Sequence, residues 1–157
     1  MATIGRFQDL EIWKQSKSMA VLSYKYFHKR TDKYDNLLIS QLLRSAVSVS
    51  SNIAEGFERE GRKEFIQFLA VAKGSNGEFL TQLIIAHEIE LIDDQNFNII
   101  SKLSLQTGLM IRKLMQYLST SSISGKKYSN GVEEPETAYL HHLFTVENLN
   151  EILTSWE

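Results

Sequence analysis

Two polar lines hold most of the side chains in this sequence that are equipped for chemistry. Arg44, Ser48, Asn52, Glu55 and Arg59 recur at steps of four and three, with Ser51 beside Asn52, and Glu64, Gln67, Ser75, Glu78 and Gln82 form a second line downstream. On helices, such steps gather side chains on one face. Cations, carboxylates and amides at that spacing build hydrogen-bond and ion-pair networks, between two helices or between copies of a chain. Arg59, Arg62, Lys63 and Lys73 form a looser basic group, of the residue types that contact phosphate.

Other constellations fail on spacing. Serines are plentiful, but there is no Gly-x-Ser-x-Gly elbow and no Ser/His/acid grouping. Gly74 and Gly77 are too few for a phosphate-cradling loop. A di-iron bundle needs paired Glu-x-x-His motifs on facing helices. His87 stands before Glu88 and Glu90 in the wrong order, and no second copy occurs; His28 falls at the end of a segment and His141-His142 near an aromatic patch. The absence of cysteine excludes thiolate metal sites, disulfides and cysteine nucleophiles. The expectation is a protein with no catalytic residues, no metal, no cofactor and no small-molecule substrate.

The elements that position these lines are helical in period. From about Asp9 to Lys29, the residues Leu10, Trp13, Lys17, Ala20, Val21, Tyr24 and Phe27/His28 recur at three- and four-residue steps, with Asp9 as N-cap and Phe7 packing back on the first turn. A second helix is expected from about Asn36 to Glu58, its buried stripe running through Leu38, Leu42, Ser45/Ala46, Val49, Ile53 and Phe57. A third opens after Gly61, a plausible cap with Glu64 reaching back, and runs to about Glu90. The fourth starts at Asp93-Asp94, acidic residues at a positive helix end, and runs to Leu118. The stretch Gly74-Ser75-Asn76-Gly77 argues otherwise, because Asn-Gly is a turn signal and each interior glycine costs a helix roughly 1 kcal/mol. The spacing alone leaves two options open: a break in the third helix, or glycines where another backbone comes close.

A hairpin of the second and third helices turning near Glu60-Gly61 would set Arg44 opposite Glu78, an expected ion pair. Four long amphipathic segments with short connections predict an all-α fold, an antiparallel up-and-down four-helix bundle over residues 1–119. Residues 120–157 read as a peripheral acidic linker and tail, holding the only proline and a capped apolar run whose Leu149, Ile152, Leu153 and Trp156 could dock on the bundle or a neighbour. The net charge of −2 is uneven: residues 1–119 hold 15 Lys/Arg against 13 Asp/Glu, and residues 120–157 hold 2 against 6. A body so close to neutral does not announce nucleic-acid binding. No apolar run spans a bilayer and the first residues lack a secretory h-region, so the expected location is cytoplasmic.

Phe7-Gln-Asp-Leu-Glu-Ile-Trp13, Gln41-Leu-Leu-Arg44-Ser-Ala-Val-Ser48, Ser51-Asn-Ile-Ala-Glu-Gly-Phe57 and Phe68-Leu-Ala-Val-Ala-Lys-Gly-Ser75 with Glu78 resemble the four-helix-bundle family of 23S rRNA-intervening sequence proteins, over about residues 7–119. The resemblance implies a third helix unbroken through Gly74-Ser75 and assembly as a ring-like homopentamer. By position it carries over Arg44, Asn52, Glu55, Gly56, Lys73, Gly74, Ser75 and Glu78 as signature residues. Ser50 departs from the family's usual proline, and Lys73 from its arginine, keeping the charge without the bidentate fork. Related accessory proteins of diversity-generating retroelements use the same bundle to engage nucleic acid and a reverse transcriptase, but are markedly more basic. The expected function is therefore a non-enzymatic homo-oligomeric scaffold. The alternative is an RNA-binding accessory factor using Arg59, Arg62, Lys63 and Lys73.

Overall fold

A computed structural model describes residues 5–28, 36–59 and 61–120. A short 3-10 turn at Phe7–Asp9 leads into α1 (Glu11–Phe27), followed by α2 (Asn36–Glu58), α3 (Arg62–Glu88) and α4 (Asp94–Thr120), and the described residues contain no strand. The helix ends fall within about two residues of those expected from the periodicity, the usual uncertainty of a helix boundary. Each helix packs on its neighbour in sequence, and α4 closes back on α1. That is the up-and-down bundle, with its core between four apolar stripes. The C-terminal tail expected at 120–157 lies, beyond Thr120, outside the described residues, as do His141-His142.

On α1 the buried stripe is rotated from the expected one. Ile12, Ser16, Met19, Leu22 and Ser23 turn inward with Leu10, Ala20 and Phe27, whereas Lys17, Val21 and Tyr24 are exposed. Two serines hide at core positions because each hydroxyl donates back along its own helix, Ser16 to the Trp13 carbonyl and Ser23 to the Met19 carbonyl. A serine satisfied in this way costs little to bury, so residue type alone misleads. Lys17 lies over the Trp13 ring instead, its nitrogen 5.3 Å from the ring centre.

The start of α1 also differs from expectation. Leu10, not Asp9, is the N-cap residue, without a side-chain cap bond. Asp9 belongs to the preceding turn and accepts from the Arg6 guanidinium at 3.1 and 3.2 Å, which holds its carboxyl below the usual carboxylate range. Phe7 does pack back, meeting Trp13 edge-on with centroids 5.2 Å apart.

α3 runs unbroken through Gly74-Ser75-Asn76-Gly77, because tertiary contacts outweigh the local turn preference. Asn76 is buried, and its Nδ2 donates to the Ser104 carbonyl of α4 while its Oδ1 accepts from the Ser104 hydroxyl. A side chain committed to α4 is no longer free to bond its own backbone into a turn.

The α3–α4 connection is a Schellman closure. The Leu91 amide donates to the Ala86 carbonyl at 2.8 Å and the Glu90 amide to the His87 carbonyl at 3.0 Å. Glu90 sits at φ 60°, the left-handed position usually given to glycine, and Leu91 tucks into the core. Asp93 then caps α4, accepting from the Asn96 amide at 2.8 Å and the Asn96 side chain at 2.7 Å. Tyr26 ties this cap to the end of α1: its hydroxyl donates to Asp93 Oδ2 and accepts from the Asp93 amide.

Candidate interaction site

The two polar lines meet along the α2–α3 seam. Asn52 Nδ2 donates to the Ser48 carbonyl at 2.7 Å and to Ser48 Oγ at 3.0 Å, and Ser48 shares a 3.0 Å hydrogen bond with Ser75 of α3. One turn away, the Ser45 hydroxyl reaches Gln82 Oε1 at 2.7 Å. These groups are half-buried or buried, and each of these bonds forms within one chain.

Gly56 lets the two helices approach. A Cβ there would stand 2.5 Å from Phe68 Cβ and 2.9 Å from the Phe65 ring. Only a hydrogen fits. Phe57 and Phe65 then meet edge-to-face, with centroids 6.0 Å apart. Gly74 and Gly77 behave differently: a Cβ on either would meet nothing within 4 Å. They lie on the outer side of α3, and no backbone among the described residues approaches them.

The expected Arg44–Glu78 ion pair is absent among the described residues; both side chains are exposed. Arg44 turns toward α1 instead, lining a hollow with Tyr24, Phe27 and His28, while Ser45 and Ser48 make the contacts to α3.

Of the basic group, Arg59 is already engaged. Its guanidinium donates to Glu55 Oε1 at 2.8 Å and lies 5.3 Å from the Phe68 ring centre. The Glu55 hydrogen bond raises its pKa further. Arg62 is half-buried, while Lys63 and Lys73 are exposed on different turns of α3. Glu58 and Glu64 stand among them.

The outer face of α3 was not anticipated as a site. Val71, Ile84, Ile85 and Ile89 are 52%, 41%, 43% and 54% exposed. They flank Ala70, Gly74, Gly77 and Thr81, all exposed and spaced by three or four residues. α3 is therefore apolar on both sides, and the described residues cover one. The signal was in the sequence: the Ile84-Ile85 doublet and Ile89 cannot all share the stripe of Phe79, Leu83 and Ala86.

The two described histidines make local contacts. His87 stacks on Phe97 with centroids 4.1 Å apart and donates from Nε2 to Asp94 at 2.7 Å, and His28 lies beside the Lys25 carbonyl. Among the described residues no three His, Cys, Asp or Glu side chains cluster as metal ligands, and no helix is long and apolar enough to cross a membrane.

This bundle and seam fall within a known family pattern. The family described as 23S rRNA-intervening sequence protein matches residues 8–113, from the turn before α1 into the last turns of α4. The chain belongs to the 23S rRNA-intervening sequence protein family. No curated protein matches it. Among solved structures it is similar to a protein of unknown function of the S23 ribosomal protein family from Bacteroides thetaiotaomicron, at 22% identity and a TM-score of 0.59. The match covers 67% of this chain and 98% of that one.

Proposed function

We propose that this member of the family is a non-enzymatic, cytoplasmic scaffold that assembles as a homo-oligomer, with copies meeting on the outer face of α3. The observation that carries the reading is the apolar outer face of that helix, with Gly74 and Gly77 open at its centre. Exposed apolar patches of this kind mark interaction surfaces, and glycines at their centre let a partner helix approach closely. Closed symmetry is the usual outcome for identical copies, and the family resemblance favours five. Glu78 stands exposed on the same helix and would supply part of its polar rim.

The competing role as an RNA-binding accessory factor has less behind it. Arg59 is held by Glu55, and carboxylates separate the remaining cations. Light scattering after size exclusion tests the proposal. The expected mass is five times the 18.0 kDa of the chain, falling to that of one chain in Ile85→Glu with its helix content unchanged. A wild-type monomer overturns the scaffold. Tight binding of structured RNA that weakens steeply with salt moves the assignment to the accessory role.

A further inference from the structure

α4 has an outer face of its own, distinct from that of α3. Leu105 and Leu109, one turn apart, are 56% and 53% exposed. Lys102 and Arg112 bracket them at the next outward positions, and Lys113 flanks the line. From Gln95 to Thr120 the helix carries these three cations and no carboxylate. Two leucines inside a cationic frame call for a partner that is apolar and acidic together.

The same chain holds such a segment. Residues 120–157 carry six carboxylates against two lysines, and within them Leu149, Ile152, Leu153 and Trp156 recur at helical spacing with Glu147, Glu151 and Glu157. The family match stops at residue 113, and the Bacteroides relative is covered almost completely by two thirds of this chain. The tail thus lies outside the family match.

We propose that residues 145–157 dock on the outer face of α4 of their own chain, seating Leu149, Ile152, Leu153 and Trp156 around Leu105 and Leu109, with the tail carboxylates toward Lys102, Arg112 and Lys113. The reach is ample. Leu109 and Leu105 lie about 17 and 22 Å back along the helix from Thr120. A generic coil of 24 residues, the length of 121–144, has a root-mean-square span of about 27 Å. A tether matched to its span gives an effective concentration in the millimolar range, enough for a weak contact to be largely formed. The tail then shields α4 while leaving the outer face of α3 open.

The absence of native cysteine makes a crosslink the cleanest test. In the full-length chain, Leu109→Cys with Ile152→Cys is oxidised and run on a non-reducing gel, beside Glu88→Cys with Ile152→Cys as control. The expected result is a disulfide within one chain, formed roughly tenfold faster than in the control and slowed at high salt. Equal rates in the two pairs overturn the proposal, and so does a bond mainly between chains. Repeating the measurement in Ile85→Glu separates this inference from the assembly. The intrachain bond is expected to persist there, whether or not the wild type is an oligomer. In a Trp13→Phe background, emission from Trp156 gives a second reading. It should move to the red in Leu105→Ser/Leu109→Ser; a solvent-exposed spectrum before that change also overturns docking.

Discussion

Asn76 of α3 and Ser104 of α4 exchange two hydrogen bonds in the bundle core: the asparagine amide donates to the serine carbonyl at 3.0 Å, and the serine hydroxyl donates to the asparagine oxygen at 3.1 Å. Gly108, one turn further along α4, makes room for this pair, since a Cβ there would stand 3.1 Å from Asn76 Nδ2. Gln106 extends the polar layer by accepting from Gln15 of α1 at 3.0 Å. A greasy four-helix core permits sliding, whereas a two-way hydrogen bond fixes one register.

The pair therefore acts as a unit. Asn76→Ala is expected to cost about 2 kcal/mol, because it leaves the Ser104 hydroxyl buried without this partner. Ser104→Ala should cost a similar amount. The double variant should lose less than the sum of the two by about 1 kcal/mol, measured by urea unfolding. Strict additivity would show that the two side chains contribute independently.

The glycines separate into two kinds by what surrounds them. Gly56→Ala drives a methyl into Phe68 and Phe65, and overpacking of that sort costs about 2 kcal/mol. Gly77→Ala meets nothing within 4 Å among the described residues, and gains roughly 1 kcal/mol from helix propensity alone. If copies meet at α3 as proposed, the same change weakens assembly. Thermal melts of Ile85→Glu with and without Gly77→Ala isolate the gain in the single chain, and light scattering reads the loss in the oligomer.

Periodicity revealed four helices and their ends because most stripe positions are filled by apolar residues, such as Leu42, Val49 and Ile53 on α2. It failed on α1, where Ser16 and Ser23 occupy core positions while Val21 and Tyr24 do not. Composition cannot show a hydroxyl satisfied by its own helix. The Asn76-Gly77 pair was ambiguous for a related reason: the partner that overrides its turn preference lies 28 residues away, on another helix. The seam network of Ser48, Asn52 and Ser75 was legible as a face, but the expected Arg44–Glu78 pairing was not formed, because Arg44 lies on the α1 side of α2. The outer face of α3 was overlooked because attention to a buried stripe treats the remaining positions as solvent-facing by default.

Glu90 offers a gain in stability. An L-residue at φ 60° carries a steric cost of about 1 kcal/mol that glycine avoids. The Schellman bonds from the Glu90 and Leu91 amides use backbone alone and survive the change. Glu90→Gly should therefore raise the melting temperature, and Glu90→Ala should not.

Asp93 makes stability depend on pH in a defined direction. Burial alone would raise its pKa, but donation from the Asn96 backbone and side chain and from the Tyr26 hydroxyl outweighs this and holds it below the ordinary carboxylate value. A group with a lowered folded pKa stabilises fully above its unfolded value, near pH 4, and that contribution disappears as pH falls through the folded value. Replacing the cap with Asp93→Ala should cost about 1 kcal/mol at pH 7. The gap between wild type and variant should stay constant from pH 7 to about 5 and narrow below about 4. Asp93→Asn supplies the control. It keeps an acceptor for the Asn96 amide but has no proton to gain, so its stability relative to Asp93→Ala should be flat across the same titration. A gap to Asp93→Ala that narrows equally for Asp93→Asn would place the titrating group elsewhere, with Asp9 the next carboxylate whose pKa is lowered.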